Sequence, residues 1–198
     1  GALMVLDSIA SGCAWVDMKA LGIDVLISAP QKGWSASPSA GLVMMSARAV
    51  ARLAETTSDS FAIDLGKWHS IMQAYENGGH AYHSTMPTDA LRGFRDAMKE
   101  TEAYGFERLK EAQWRLGEGV RKMLAERGVT SVSYTNDPSV QNGKAFAAEG
   151  MQIAAGVPLM CDEPADFQTF RLGLFGLDKL YDVDATLGRL ARVINKVL

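Results

Sequence analysis

Three short apolar runs, each closed by a small or acidic residue, most limit what this chain can fold into. Leu3-Met4-Val5-Leu6 ends in Asp7, Ile23-Asp24-Val25-Leu26-Ile27 ends in Ser28, and Leu42-Val43-Met44-Met45 ends in Ser46. Runs this short read as strands. The first, without alternation, reads as a strand buried on both faces, as in a parallel sheet. Loops of Gly, Ser and Pro separate them, densest between Gly33 and Gly41, which is turn chemistry. A buried strand at the extreme N-terminus, with no initiator Met and no lead-in, predicts a longer protein with a further portion N-terminal to Gly1.

Helical spacing takes over downstream. Ala47 to Ala54 reads as a short helix. Residues 55 to 87 are polar and aromatic with little period and are broken by Gly78-Gly79; a long irregular stretch in a compact chain is more often functional than idle. Thr88 or Asp89 can cap a helix bearing Leu91, Phe94 and Met98 on one face. A second helix spans about Phe106 to Arg127, with Leu109, Ala112, Leu116, Val120, Met123 and Leu124 in its stripe and Gly128 as its stop. A domain change is placed there, giving units 1–127 and 128–198. In the second, Val132 to Thr135 reads as a strand, Asn142 to Met151 as a helix and Phe170 to Phe175 as a strand. A last helix begins at Asp182 or Asp184 and carries Val183, Leu187, Leu190, Ala191, Ile194 and Val197.

Composition excludes several classes. The 198 residues carry 20 Lys+Arg against 23 Asp+Glu, with 47% hydrophobic residues, ordinary for a globular chain and without the basic footprint of a nucleic-acid or anionic-membrane binder. No run approaches the ~20 apolar residues of a membrane helix, and no signal peptide is read. Cys13 and Cys161 give neither a disulfide framework nor metal spacing, so a reducing cytoplasm is the expectation. The three histidines form no metal cluster. The ten methionines read as core filler.

Two residues stand where an open α/β sheet binds ligands, at the C-terminal ends of strands. Lys32 follows the second strand, in the small-residue loop Ser28-Ala29-Pro30-Gln31-Lys32-Gly33-Trp34-Ser35, and Asp7 closes the first. Desolvation of such a lysine lowers its pKa and frees a neutral amine for a Schiff base. A carboxylate beside it can hold a pyridinium nitrogen protonated. Alone, Lys32 reads as a solvated loop residue and Asp7 as a loop cap; the pair, 25 residues apart on successive strands, is more specific. Trp34 reads at least as well as packing as it does as site wall.

Val5-Leu6-Asp7-Ser8-Ile9-Ala10-Ser11, Gly22-Ile23-Asp24-Val25-Leu26-Ile27-Ser28, Gln31-Lys32, Ser37-Pro38 and Gly41-Leu42 together resemble the class V aminotransferases, pyridoxal-phosphate (PLP) enzymes of fold type I, and within them the serine–pyruvate / alanine–glyoxylate group. The resemblance runs from residue 3 to the C-terminus and corresponds to the C-terminal half of such an enzyme. It implies an α/β fold: part of the large PLP-binding domain, a mainly parallel sheet with helices, followed by a small C-terminal α/β domain. Lys32 matches the lysine that forms the internal aldimine and then shuttles the proton between substrate carbon and cofactor C4′. Asp7 matches the partner of the pyridine nitrogen, and Gln31 a phosphate ligand. Tyr82-His83-Ser84-Thr85-Met86-Pro87 resembles the family's Tyr-His-x-Thr-x-Pro segment, whose tyrosine and threonine (Tyr82 and Thr85 here) reach the phosphate of the neighbouring subunit's cofactor. His83 reads more readily as a structural imidazole than as a catalytic one. Phe170-Arg171-Leu172-Gly173 resembles the Arg-x-Gly strand whose arginine grips the substrate α-carboxylate through its planar fork.

The resemblance thus implies a cytoplasmic homodimer that moves an amino group from an amino acid to a 2-oxo acid, with no nucleic-acid or membrane partner and no metal. Three departures accompany it. The upstream half, with its phosphate loop and ring-stacking aromatic, lies outside the sequence. Residues 128 to 140 are shorter than in the family. The family's Pro-Pro-Gly after the lysine reads Ser37-Pro38-Ser39. Two alternatives stand beside this reading: a non-catalytic piece that keeps the dimer surface and small domain, and another PLP enzyme of the same fold, a lyase or desulfurase. Gln31 before the lysine, where desulfurases carry His, and the lack of a catalytic Cys loop argue against a desulfurase. A nucleotide-binding module is weaker still, since no GxGxxG or Walker loop is present.

Overall fold

A computed structural model describes residues 1–129, 138–165 and 167–198. Its order is β1 (Val5–Asp7), β2 (Val25–Ser28), β3 (Leu42–Met45), α1 (Ala47–Leu53), α2 (Leu65–Glu76), α3 (Thr88–Tyr104), α4 (Phe106–Ala125), α5 (Pro138–Gln141), α6 (Lys144–Ala148), β4 (Ala154–Ala155), β5 (Phe170–Arg171), α7 (Leu177–Leu180) and α8 (Val183–Val197). Two compact units result: residues 1–11 with 15–100, and residues 12–14 with 101–198.

In the first unit β1, β2 and β3 form a sheet in that order. β1 runs parallel to β2, with Val5 opposite Val25 and Asp7 opposite Ile27; β3 runs antiparallel to β2, with Ser28 opposite Leu42. The three apolar runs therefore are strands. The expectation that β1 is buried on both faces is not met: Met4 and Val5 are 50% and 53% exposed, while Ile23 and Leu26 are buried. Among the described residues β1 pairs with β2 alone, and the burial of this sheet centres on its middle strand. Ser46 caps α1, its hydroxyl accepting from Ala49 N–H. The supposedly irregular 55–87 stretch contains α2, capped by Asp64, whose carboxylate accepts from Lys67 N–H. Only Ile71 of α2 is buried, so the helix lacks the wide apolar stripe that makes helices legible in sequence.

The second unit is built around α4 and α8. Leu109, Leu116 and Val120 of α4 are buried, as are Leu190 and Ile194 of α8; the 3.6-residue period had marked all five. Gly128, at φ 75°, sits in the left-handed conformation that stops α4. Asp182 caps α8 by accepting from Ala185 N–H at 2.9 Å. The expected helix from Asn142 to Met151 is the shorter α6, and α5 before it was not expected. The expected strand from Phe170 to Phe175 is confined to β5. The strand expected at Val132 to Thr135 lies outside the described residues.

β4 and β5 pair antiparallel, Ala154 opposite Arg171 and Ala155 opposite Phe170. Phe170 packs on the fully buried Phe146, ring centroids 5.6 Å apart. Gly156 follows β4 where a Cβ would stand 1.7 Å from the Thr169 carbonyl oxygen, a backbone atom that cannot turn away. Gly156→Ala is therefore expected to lower stability by about 1–3 kcal/mol and to raise hydrogen exchange around Ala155 and Arg171. Unchanged melting and exchange would show that the two strands separate at no cost.

Candidate active site

The C-terminal edge of the β1–β2 pair gathers the first group of predicted residues. Asp7 ends β1 there, and the following residue, Ser8, donates its N–H to Ile27 O at 2.8 Å. β2 ends at Ser28 and the chain turns at once into the loop that carries Gln31 and Lys32. Asp7 is exposed and its Oδ1 accepts Ile9 N–H at 3.0 Å, a local turn contact. Gln31 is exposed and Lys32 half-buried, between a fully buried Pro30 and a buried Gly33.

The Lys32 loop is held by backbone and aromatic contacts. Ser35 N–H donates to Lys32 O and Ala36 N–H to Pro30 O, both at 3.0 Å. Ser35 has φ 59°, a left-handed conformation uncommon outside glycine that closes the turn. Trp34 packs between Trp15 (4.5 Å, tilted) and Phe94 of α3 (5.9 Å, edge-on). Trp34 is thus a packing anchor for the loop, which turns a flexible lysine-bearing segment into one of fixed course.

Tyr82 and Thr85 face one another, hydroxyls 3.2 Å apart. Tyr82 is 77% exposed, and Thr85 is exposed as well. His83 between them is structural: its Nε2 pairs with Phe61 O at 2.8 Å, and its ring lies 4.2 Å from Phe61 and 4.9 Å from Trp68. Two adjacent exposed hydroxyls can both donate hydrogen bonds to an anion. Arg171 belongs to the second unit. Its Nε donates to Ala155 O at 2.8 Å, which fixes the guanidinium plane against β4.

Sequence reasoning missed the polar anchor at the opposite edge of the sheet. Asp24 is buried, and its carboxylate accepts from Met4 N–H (2.8 Å), the Ser46 hydroxyl (3.0 Å), Arg48 Nε (2.8 Å) and Arg48 Nη2. The Arg48 guanidinium and the Met4 N–H hold the Asp24 carboxyl far below the usual carboxylate range. An acid inside an apolar run was the available signal, because a buried charge demands partners. In the second unit, Glu163 accepts from the N–H groups of Leu159, Met160 and Cys161 and is lowered to about 2 by those bonds. Burial pushes the Cys13 thiol up to about 11, which agrees with its reading as unreactive.

No protein-family model matches the sequence. The chain is 27% identical over 207 residues to a 2-aminoethylphosphonate–pyruvate transaminase of Paraburkholderia phymatum, covering 96% of this chain and 54% of that protein. Among solved structures it is similar to an aspartate aminotransferase of Thermus thermophilus, with a TM-score of 0.78 at 22% identity, over 100% of this chain and 56% of the other. An alanine–glyoxylate aminotransferase of Nostoc sp. matches at TM-score 0.76 and 22% identity, over 100% and 54%. This chain carries the aminotransferase fold. The α/β, fold type I architecture implied by the motifs is borne out along the whole chain. The aminotransferase-like chain spans about half the length of the curated relative and of the two solved structures. Among the described residues no helix is long and apolar enough to cross a membrane.

The Asp24 anchor has a pH signature. Its folded pKa is depressed, so its contribution is full above the unfolded value of about 4 and is lost as pH falls toward the folded one. Thermal melts of the wild type between pH 6 and pH 2 are expected to fall more steeply than those of Asp24→Asn, so the gap between the two narrows with acid. A gap constant over that range would contradict the assignment.

Proposed function

We propose that the protein works as, or within, a PLP-dependent aminotransferase of the serine–pyruvate / alanine–glyoxylate type. The observation that carries this reading is the placement of Asp7 and the Lys32 loop at one edge of a parallel strand pair, on the aminotransferase fold. The donor set fits the cofactor chemically: a carboxylate for a ring nitrogen, a primary amine for an aldehyde, and neutral hydroxyl donors for a phosphate.

PLP, when bound, would supply an electron sink for charge developing at the substrate carbon. Lys32 would hold the cofactor through its aldehyde carbon and would serve as the base at the substrate carbon. Asp7 accepts the hydrogen bond of the pyridine N–H and keeps that proton in place. Gln31 binds the phosphate from the same loop as Lys32. Arg171, its plane fixed by the Ala155 bond, presents its terminal nitrogens to the substrate carboxylate, a two-pronged contact that also orients the amino group.

The same reading makes the protein a homodimer in which Tyr82 and Thr85 serve the neighbouring subunit's phosphate. Support comes from large apolar side chains displayed by the same unit: Phe61, against His83, and Ile63, Met72 and Tyr75 are all at least 59% exposed, and exposed apolar surface marks interaction sites. Ile63→Lys is expected to weaken self-association by roughly tenfold or more, a loss of about 1.4 kcal/mol or more, in sedimentation equilibrium. A wild type that stays monomeric at high concentration would refute the dimer.

The deciding experiment is addition of PLP, borohydride reduction and peptide mapping, with Lys32→Ala as control. A pyridoxyl mass on Lys32 that vanishes in the control is the expected result. Scatter over surface lysines would favour the second reading, a non-catalytic piece.

A further inference from the structure

β1 is only three residues long and, among the described residues, pairs with β2 alone. Register is strongly set by the apolar pattern only where one face of a strand is buried. Here Val5 is 53% exposed and Leu6 only half-buried, so burial does little to choose among registers. A slip by one residue would carry Asp7 to the other face of the sheet, and a slip by two would move it about 7 Å along the strand.

The polar contacts at the start of the strand do choose. Met4 is bound on both sides: its N–H donates to Asp24 Oδ2 at 2.8 Å, and its carbonyl accepts from Asp24 N–H (2.9 Å) and Val25 N–H (3.0 Å). Arg48, gripped by the same carboxylate, also donates from Nη2 to Ala2 O at 3.0 Å. Ser46 closes the third side, donating its hydroxyl to Asp24 Oδ1 (3.0 Å) and its N–H to Asp24 O (2.8 Å). Ala2, Met4, β2, the end of β3 and the cap of α1 are thus tied to one residue. Only the register in which Val5 meets Val25 satisfies these bonds.

We propose that Asp24 is a positioning residue: it locks β1 in register on β2 from one edge of the sheet and thereby sets where Asp7 stands at the other. Asp24 touches no ligand. It acts through Asp7, and this inference rests on the functional reading above, in which Asp7 meets the ring nitrogen of PLP.

The test is a double-mutant cycle on the purified protein, read by the absorption band of bound PLP and by its apparent affinity. The band reports ring protonation, which a loss of stability alone does not move. Asp24→Asn is expected to shift the band in the direction that Asp7→Asn shifts it. It is also expected to weaken PLP binding by roughly tenfold or more, the scale set by groups standing one step behind a ligand. The pair Asp7→Asn/Asp24→Asn is expected to shift the band no further than Asp7→Asn alone, because a residue acting through Asp7 has nothing left to position. A variant Asp24→Asn that melts earlier yet keeps the wild-type band and affinity would overturn the proposal, as would band shifts that add in the pair. Should circular dichroism find Asp24→Asn unfolded, Arg48→Lys, which loses the fork but keeps a charge, is judged by the same criteria. A wild type with neither a saturable PLP band nor a Lys32 label would sink the functional reading itself. A labelled wild type with an unaffected Asp24→Asn sinks only the positioning role.

Discussion

Asp24 accepts four hydrogen bonds, two on each oxygen, from Met4, Ser46 and the Arg48 guanidinium. A buried carboxylate with fewer partners would be a heavy cost to the fold; fully satisfied, it becomes a geometric constraint. Three strands and a helix cap meet at this one group. The sheet is small, β1 is short, and its outer residues are exposed, so apolar burial alone leaves the edge strand weakly held. The polar anchor supplies the specificity that the core does not. Asp7, at the far end of β1, inherits its position from that register.

The same pattern recurs where the chain leaves regular structure. The Lys32 loop is fixed by backbone bonds across a left-handed Ser35 and by Trp34 wedged between Trp15 and Phe94. His83, between Tyr82 and Thr85 in the chain, is pinned to Phe61 O, with its ring tilted on Phe61 and edge-on to Trp68. The Arg171 guanidinium is fixed by a carbonyl across the β4–β5 pair. In each case a polar group suited to binding stands beside a neighbour that is itself held in place. Preorganisation of this kind lowers the ordering cost of binding a ligand.

Legibility followed burial. The long helices α4 and α8 were readable because their stripes are buried at helical period, and their ends because Gly128 and Asp182 do what those residue types do at helix ends. The three strands were readable from apolar runs, but the surroundings of β1 were not, because a run of Leu, Met and Val does not reveal how many neighbours its strand will have. α2 escaped notice since a helix with one buried residue, Ile71, has almost no stripe to detect. β5 came out shorter than its alternation suggested, because only Phe170 and Arg171 find partners on β4. Resemblance singles out Asp7, Gln31, Lys32, Tyr82, Thr85 and Arg171, while Asp24, Ser35 and Trp34, which hold the strands and the Lys32 loop, were passed over or left open. Supports are drawn from ordinary residue types whose role depends on distant neighbours, such as Arg48, 24 positions away from Asp24.

The two aspartates of the sheet make the point in chemical terms. Both border apolar strands, Asp24 at the start of β2 and Asp7 at the end of β1, and in sequence only the strand end each occupies tells them apart. Their hydrogen-bond counts separate them. Asp24 has every acceptor position filled and is shut away from solvent, so it has no capacity for a ligand. Asp7 is exposed and accepts only Ile9 N–H among the described residues, so one oxygen is left for another donor. A carboxylate that is to meet a ligand has to keep unused acceptor capacity, and a carboxylate that is to hold a fold has to use all of it. One sheet with an acid of each kind, at opposite edges of the same parallel pair, thereby separates the work of holding a register from the work of meeting a ligand.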